Sequence, residues 1–394
     1  PSLPAYPSSV SGVPVAVYNT KLDGKDYNWK VKNFKGVDQS QLIVYELLIR
    51  DFSGTEGQAN GEGNIAGVME HLDYIKSLGV NAVELLPIME FNGNNSWGYN
   101  TNFYFAPDKF YGTPDDYRRL VDAIHQRGMA VILDIVFNQS DGLHPWYQMY
   151  DIEKNPFYNG SAPHAYSVLN DWNQDNALVQ QQWDDALKYW IEAYNIDGYR
   201  FDLVKGLGSN SSYGATYNPN TNLFTGVTDG KTNAYNASRV AQMKKLHDAM
   251  RQVKPDAYFI NENLASPQEE NDMSLDGEIN WANINGDACN FAKGVQASLN
   301  RFYAPLDGSR NWGTTVSYAE SHDEERMAYA VSTSGVSGVK GNTSATMRRL
   351  GSVAAVMLMS PGAHMIWQFQ EMGADQTTKN SSGNDTSPKR VIWS

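Results

Sequence analysis

Cysteine is almost absent from this sequence: Cys289 is the only one in 394 residues. No intrachain disulfide framework can form and no cysteine pair shows metal-ligand spacing, so Cys289 reads as plain core packing. Positive charge is also scarce. Lys and Arg number 31 against 44 Asp and Glu, a net charge of −13 with no basic run. That argues against nucleic acid as a partner, because phosphate binding needs a basic patch. No apolar stretch approaches the 18 or so uninterrupted residues of a membrane-spanning helix. The N-terminus also lacks the basic, apolar, small-residue succession of a secretory signal.

What the chain has instead is apolar and aromatic mass. Hydrophobic residues make up 41% and aromatics 12%, with 23 Tyr and 10 Trp. Asn and Gly fill the segments between apolar runs. A surface rich in Tyr, Trp and Asn but poor in Lys suits neutral polar ligands with flat apolar faces, such as sugars. The length allows one large barrel-type domain with a small one beside it, or two to three ordinary domains.

Residues 1–40 are rich in Pro, Ser and Gly and read as the last strands of a small β module or as an extended lead-in. From 41 to 394 a strand-then-helix rhythm takes over. Strands are expected at Leu42–Arg50, Ala82–Pro87, Ala130–Asn138, Gly198–Lys205, Ala257–Glu262, Glu278–Trp281, Thr315–Tyr318 and Ala363–Gln368. Helical periodicity covers 63–78, 114–127, 176–194 and 237–252, and helical patterns also separate the later strands. An irregular, aromatic-rich excursion occupies about 139–172. Eight strands interleaved with helices predict a (β/α)8 barrel rather than an open doubly wound sheet. Residues 373–390 are polar and loop-like, so the last helix, and any C-terminal β domain, is expected to be absent.

Catalytic groups of such barrels sit at the C-terminal ends of the strands. Here those ends carry Asn138, then Arg200 and Asp202, then Glu262, then His322 and Asp323. Three carboxylates with an Arg and a His form a constellation suited to cleaving a glycosidic bond. One carboxylate attacks the anomeric carbon while one carboxylic acid protonates the leaving oxygen. Arg200, two residues from Asp202, is expected to keep it ionised. Phe259, Ile260 and Leu264 are expected to desolvate Glu262 and favour its acid form.

Four segments resemble the signature regions of the α-amylase family of glycoside hydrolases, family 13. They are Asp134-Ile135-Val136-Phe137-Asn138, Gly198–Lys205, Phe259-Ile260-Asn261-Glu262 and Glu320-Ser321-His322-Asp323. The resemblance runs in order from about Tyr45 to Met372. It implies a retaining double displacement, with Asp202 as nucleophile, Glu262 as general acid/base and Asp323 as transition-state stabiliser. It gives His322 and Arg200 supporting roles, and Tyr99, in Trp97-Gly98-Tyr99-Asn100, the part of a stacking platform. Trp97, with Trp146, Tyr147, Tyr150 and Trp172 of the excursion, is a candidate to line the groove. Two positions depart from the family pattern. Gln139 stands where His is usual, and the second region ends Lys205-Gly206 instead of Lys-His. The resemblance further implies a structural Ca²⁺ held by Asn138, Asp171 and Gly206.

The leading expectation is endo-hydrolysis of α-1,4 bonds in starch-like glucans by a monomer. The alternatives are α-1,6 debranching, branching by transfer (Ser321–Glu324 also resembles branching enzymes) and a catalytically silent glucan-binding protein. Intact Asp202, Glu262 and Asp323 weigh against the last. A polymer substrate implies an extracellular, cell-surface or periplasmic location, with a cytoplasmic glycogen-handling enzyme as the alternative.

Overall fold

The structure is a computed structural model and describes residues 15–17, 27–302 and 309–393. Its centre is a closed barrel of eight parallel strands. They are β1 (Ile43–Leu47), β2 (Ala82–Leu85), β3 (Ala130–Ile135), β4 (Gly198–Phe201), β5 (Tyr258–Asn261), β6 (Ile279–Asn283), β7 (Thr315–Tyr318) and β8 (Ala363–Trp367). Each strand pairs with the next, and β8 pairs back onto β1 with Ile43 beside His364. This is the (β/α)8 barrel expected from the strand–helix rhythm.

Successive side chains of a strand point to opposite faces, and this rule sorts the sequence into two cores. Tyr45, Leu47, Val83, Leu85, Val131, Leu133, Ile135, Tyr199, Phe201 and Phe259 point outward and join the helices in the larger cluster. Val44, Ala82, Ala130, Ile132, Ile260, Ile279, Trp281, Val316 and Met365 belong to a separate cluster filling the barrel interior. The same alternation sends Glu46, Glu84, Asp134 and Arg200 inward, one step above that apolar layer. In the register Glu46 lies beside Glu84 and Asp134 beside Arg200. All four are buried. The barrel thus has an apolar floor and a charged upper layer.

The helices follow their sequence signals. The helix Pro114–Gln126 opens on a capping box in which Thr113 and Asp116 satisfy each other's backbone N–H groups. The helix Ala177–Tyr194 stops at Asn195, a residue that tolerates its left-handed φ of 56°. The span 63–78 forms two helices, Ile65–Glu70 and Leu72–Ser77, rather than one. The long first strand also divides: it ends at Leu47, and Ile49–Phe52 makes a helical turn. A buried apolar run does not by itself distinguish strand from helix. After β8, the described residues contain no helix, as expected. The chain instead forms a small hairpin, Lys379–Asn380 with Gly383–Asn384, across the top of the barrel.

Most of the lead-in before residue 27 lies outside the described residues. Trp29–Lys32, one of the expected β pieces, is irregular chain. Lys30 and Val31 donate their N–H groups to the Asp122 carboxylate, and Phe34 stacks on His125 at 4.3 Å. This stretch packs on the helix Pro114–Gln126. The excursion is tied down by a two-residue antiparallel pairing of Gln139–Ser140 with Asn170–Asp171. Its aromatics are largely core. Trp172 is fully buried and stacks on Tyr158 at 4.0 Å, Trp146 and Tyr147 pack against the main core, and only Tyr150 is exposed. The expectation that these rings line a groove is corrected for Trp172, which fills the volume beneath the excursion, whereas Trp146 and Tyr147 are half-buried and Trp146 borders an open cavity with Tyr104 and His144. The Gly206–Tyr235 loop holds a further hairpin, Thr216–Asn218 with Leu223–Thr225.

Candidate active site

Arg200 is the centre of the upper layer. It is fully buried, and its guanidinium lies 4.0 Å above the Trp281 ring. Nη1 meets both oxygens of Asp134 at 2.9 Å and Asp202 Oδ1 at 3.0 Å. Nη2 meets Glu262 Oε2 at 2.9 Å. One cation therefore contacts carboxylates from three strand ends. Asp202 and Glu262 are held within the span of a single guanidinium.

The electrostatics differ from the sequence expectation. Arg200 does lower the Asp202 pKa, but burial outweighs it. With Glu262, Asp134 and Asp323 added, the carboxyl is pushed well above the usual range. Asp134 is likewise raised by burial, to about 6, against the opposing pull of Arg200 and His322. Glu262 is not enclosed by Phe259, Ile260 and Leu264 as expected. Phe259 points outward and Ile260 lies in the layer below. Glu262 faces Arg200 and accepts the Leu203 N–H at 2.9 Å, and its side chain keeps 17% exposure. Leu203 reaches that position with a left-handed φ of 43°, and Leu264, two residues past Glu262, has φ 48°. A leucine in this region costs on the order of 1–3 kcal/mol, and such outliers gather at functional sites.

His322 and Asp323 approach from the loop after β7. His322 Nδ1 lies 2.6 Å from Glu46 Oε1, and its backbone N–H meets Glu46 Oε2 at 3.2 Å. Its Nε2 lies 2.9 Å from the Tyr99 hydroxyl and 3.4 Å from Asp323 Oδ2. Burial alone would keep the imidazole neutral. Asp323 and Glu46 outweigh it and raise its pKa to about 10. His322 is therefore a fixed cation at neutral pH.

The hairpin after β8 closes over the same loop. Asn384 Nδ2 donates to Asp323 Oδ1 at 2.7 Å, and Lys379 Nζ donates to the Asp323 carbonyl. Past the ends of β5 and β6 an open cleft of about 650 Å³ is lined by Leu264, Ala265, Asn283, Asp287 and Arg310 among others.

The remaining candidates fall in three positions. The Tyr99 hydroxyl donates to Asp134, and its ring lies 5.3 Å from that of His322 at 20°. Trp97 is mostly buried, edge-on to His322 at 5.2 Å. Lys205 turns towards the excursion, its Nζ 4.6 Å from the centre of the Tyr166 ring. Gln139 is not available as a sugar contact. It is buried, its Oε1 accepts from Asn138 and its Nε2 donates to the Tyr99 carbonyl. Glu46, Glu84, Asp134, Lys379 and Asn384 were not among the candidates. The first three carried a signal, an acidic residue inside an otherwise apolar strand. Glu84 is the extreme case: both of its buried oxygens lack a hydrogen-bond partner. Burial, with Glu46 and Asp134 nearby, pushes its pKa well above the usual carboxylate range.

The residues implied for calcium do converge. Asn138 Oδ1 is buried and has no hydrogen-bond partner. A Cβ at Gly206 would lie 1.7 Å from it and 2.8 Å from His164 Nε2, so glycine alone lets the backbone pass. Asp171, however, is already engaged. His164 Nε2 lies 3.0 Å from its Oδ1, and Asn159 Nδ2 donates to its Oδ2 at 2.7 Å. Calcium takes six to eight oxygen ligands, whereas this node offers one open side-chain oxygen beside an imidazole. Among the described residues, no group of three or more His, Cys, Asp or Glu is placed to hold a metal. The donor set does not fit calcium.

Comparison with known proteins supplies the family. The alpha-amylase catalytic domain profile matches residues 47–159 and 150–392, nearly the whole chain. The chain belongs to the alpha-amylase family. Among family relatives, malto-oligosyltrehalose trehalohydrolase from Saccharolobus solfataricus is 32% identical over 197 residues, covering 49% of this chain and 32% of that protein. Pullulanase from Bacillus subtilis is 26% identical over 411 residues, covering 89% of this chain and 53% of the relative. The chain thus spans between about a third and a half of these curated relatives. Among solved alpha-amylase-family structures, the α-amylase from Geobacillus thermoleovorans in complex with acarbose matches with TM-score 0.68 and 21% identity. That match covers 91% of this chain and 75% of the other. Pullulanase type I from Bacillus subtilis gives 0.69 and 21%, covering 94% and 56%. The likeness to these structures is one of fold.

Proposed function

We propose that this chain hydrolyses α-glucosidic bonds in starch-like α-glucans with retention, as an endo-acting α-1,4 hydrolase. The observation that carries this reading is the single Arg200 guanidinium contacting both Asp202 and Glu262 at adjacent strand ends. Family membership narrows the chemistry to α-glucans. In the reaction, Asp202 attacks the anomeric carbon while Glu262 gives its proton to the leaving oxygen. Water then displaces Asp202 with Glu262 acting as base. Asp202 must be ionised to attack. A sugar ring developing positive charge in the cleft favours the ionised form that burial opposes in the free protein. Asp323, fixed between His322 and Asn384, is placed to hydrogen-bond sugar hydroxyls and favour a distorted ring.

Debranching of α-1,6 bonds is the second reading, because the pullulanase relative matches 89% of this chain. The α-1,4 reading has its own structural counterpart, the α-amylase whose fold matches over 91% of this chain. Action on a polymer supports a location outside the cytoplasm, with a cytoplasmic glycogen-handling role as the alternative, and the reading takes the protein as a monomer. The deciding experiment is a product profile on amylose and on pullulan, with Asp202→Asn alongside. Short linear maltooligosaccharides from amylose, absent with the variant, are expected. Maltotriose from pullulan by α-1,6 cleavage would replace this reading with the second. Identical traces from both proteins would overturn both.

A further inference from the structure

Three segments must be tied together beside the reactive carboxylates. They are the end of β3 at Asn138, the loop after β4 at Gly206, and the excursion at Asp171. In sequence they resemble a calcium site, yet at their meeting point stands His164. Its imidazole is fully enclosed, with Nε2 3.0 Å from Asp171 Oδ1. Its Nδ1 is buried without a hydrogen-bond partner, which makes Nε2 the proton-bearing nitrogen, donating to the carboxylate. Gly206 clears the space: any side chain there would run into His164 Nε2 and Asn138 Oδ1.

We propose that His164 takes the place of a structural cation, so that the barrel and its excursion are locked together without calcium. A divalent ion at such a junction cross-links segments by collecting their oxygens. Here hydrogen bonds make the same cross-links. Asp171 joins His164 to Asn159, and Asn159 exchanges hydrogen bonds with Asn210 at 2.9 and 3.1 Å. Asn210 also donates to Asn173 Oδ1 at 3.0 Å, returning to the far end of the excursion. The Trp172 N–H donates to the Asn138 carbonyl at 3.1 Å. On the other side, the Ala165 N–H donates to Thr232 Oγ1 at 2.9 Å, anchoring the segment that carries His164. The Asp171 carboxyl is thus met by two donors, His164 and Asn159, and the loop leading from Asp202 is fixed through Gly206 and Asn210. This inference concerns the scaffold and stands whichever α-glucan linkage is cleaved.

The test uses the purified full chain. Elemental analysis should find no stoichiometric calcium, and melting curves in excess EGTA and in millimolar CaCl₂ should coincide. His164→Ala should lower Tm by about 2–4 °C, the loss of one buried hydrogen bond and its packing in a domain of this size. His164→Gln should keep most of that Tm, because its amide can still donate to Asp171. Recovery of the His164→Ala loss on adding calcium would support the proposal, showing that an ion enters only when the imidazole is gone. Calcium copurifying with the unaltered protein, or raising its Tm above the EGTA value, would overturn it. So would a His164→Ala protein that melts with the unaltered one. If His164→Ala does not fold, the EGTA comparison and His164→Gln still decide.

Discussion

Strand β4 carries an aspartate just beyond each end, and the two are treated differently. Asp197, at the entry, is held by two hydrogen bonds and an ion pair. Its Oδ2 accepts from His125 Nε2 at 2.6 Å and from the Val131 N–H at 2.8 Å, and Lys254 lies 3.2 Å from Oδ1. Asp202, at the exit, has a single charged contact, and that donor is shared with Asp134. At the entry, donors match the carboxylate. At the exit, Glu46, Glu84, Asp134, Asp202, Glu262 and Asp323 crowd around Arg200 and His322. A satisfied charge is a structural rivet, whereas an under-served one is available for chemistry.

The sharpest way to break this contrast is to remove each charge. Asp202→Asn is expected to cut the hydrolysis rate by about 10⁴-fold or more, as loss of a nucleophile does, while Tm holds or rises. Initial rates on soluble starch and a melting curve read both. A variant retaining a substantial fraction of the rate would place the chemistry elsewhere. Asp197→Asn should show the mirror image. Stability should fall by about 3 kcal/mol, the scale for breaking a buried pair, with the kcat of the folded fraction unchanged. Denaturant titration measures the loss, and a comparable fall in kcat would erase the distinction between the ends.

Smaller effects sharpen it. Asn384→Ala should lower kcat about tenfold, the value of one hydrogen bond to a charged carboxylate, with little change in Tm. An unchanged kcat would make the hairpin a mere cover. The weakest case lies away from the site. Glu278, buried and bonded to Asn261 Nδ2 at 2.6 Å, has its pKa raised by burial to about 8. The native chain keeps a proton that the unfolded chain releases near pH 4.5, so stability falls as pH rises from there to about 8. Glu278→Gln should therefore stabilise the protein by about 1 kcal/mol, with a larger gain at pH 8 than at pH 5. Equal gains at both would show that the carboxyl titrates normally.

Much of this was legible in the sequence because parallel strands buried on both faces make continuous apolar runs with charged ends. Thr315–Tyr318 coincides with its expected span, five strands differ only at their ends, and Leu42–Arg50 and Gly198–Lys205 each give way to a helical turn, at Ile49 and at Val204. Asp202, Glu262, Asp323, Arg200, His322 and Tyr99 converge as the motifs implied. The inward-facing acids were visible as residues but not as partners. Whether Glu46 reaches His322 depends on β1 closing the barrel next to β8, one strand away from β7 and its following loop. Asn384 and Lys379 carried no local signal, since a polar hairpin reads alike whether it caps a site or hangs in solvent. Gln139 and Trp172 were misplaced for a related reason: residue type suggested sugar contact, and packing turned them inward.

The β1–β8 pairing that closes the barrel has a consequence in time. Leu48 bonds Gln368 across a separation of 320 residues, and Glu46 reaches His322 across 276. Contacts so distant along the chain form late, because loop-closure entropy is spent before they are made. During synthesis, the segment carrying Asp202 and Glu262 emerges well before β8 exists. Glu46 comes early but must wait for His322, and β1 must wait for its second neighbour. The half-made chain therefore exposes two unpaired strand edges and a layer of unmatched carboxylates, the state in which such proteins are most exposed to aggregation. Its catalytic face comes into being only when the last strand arrives.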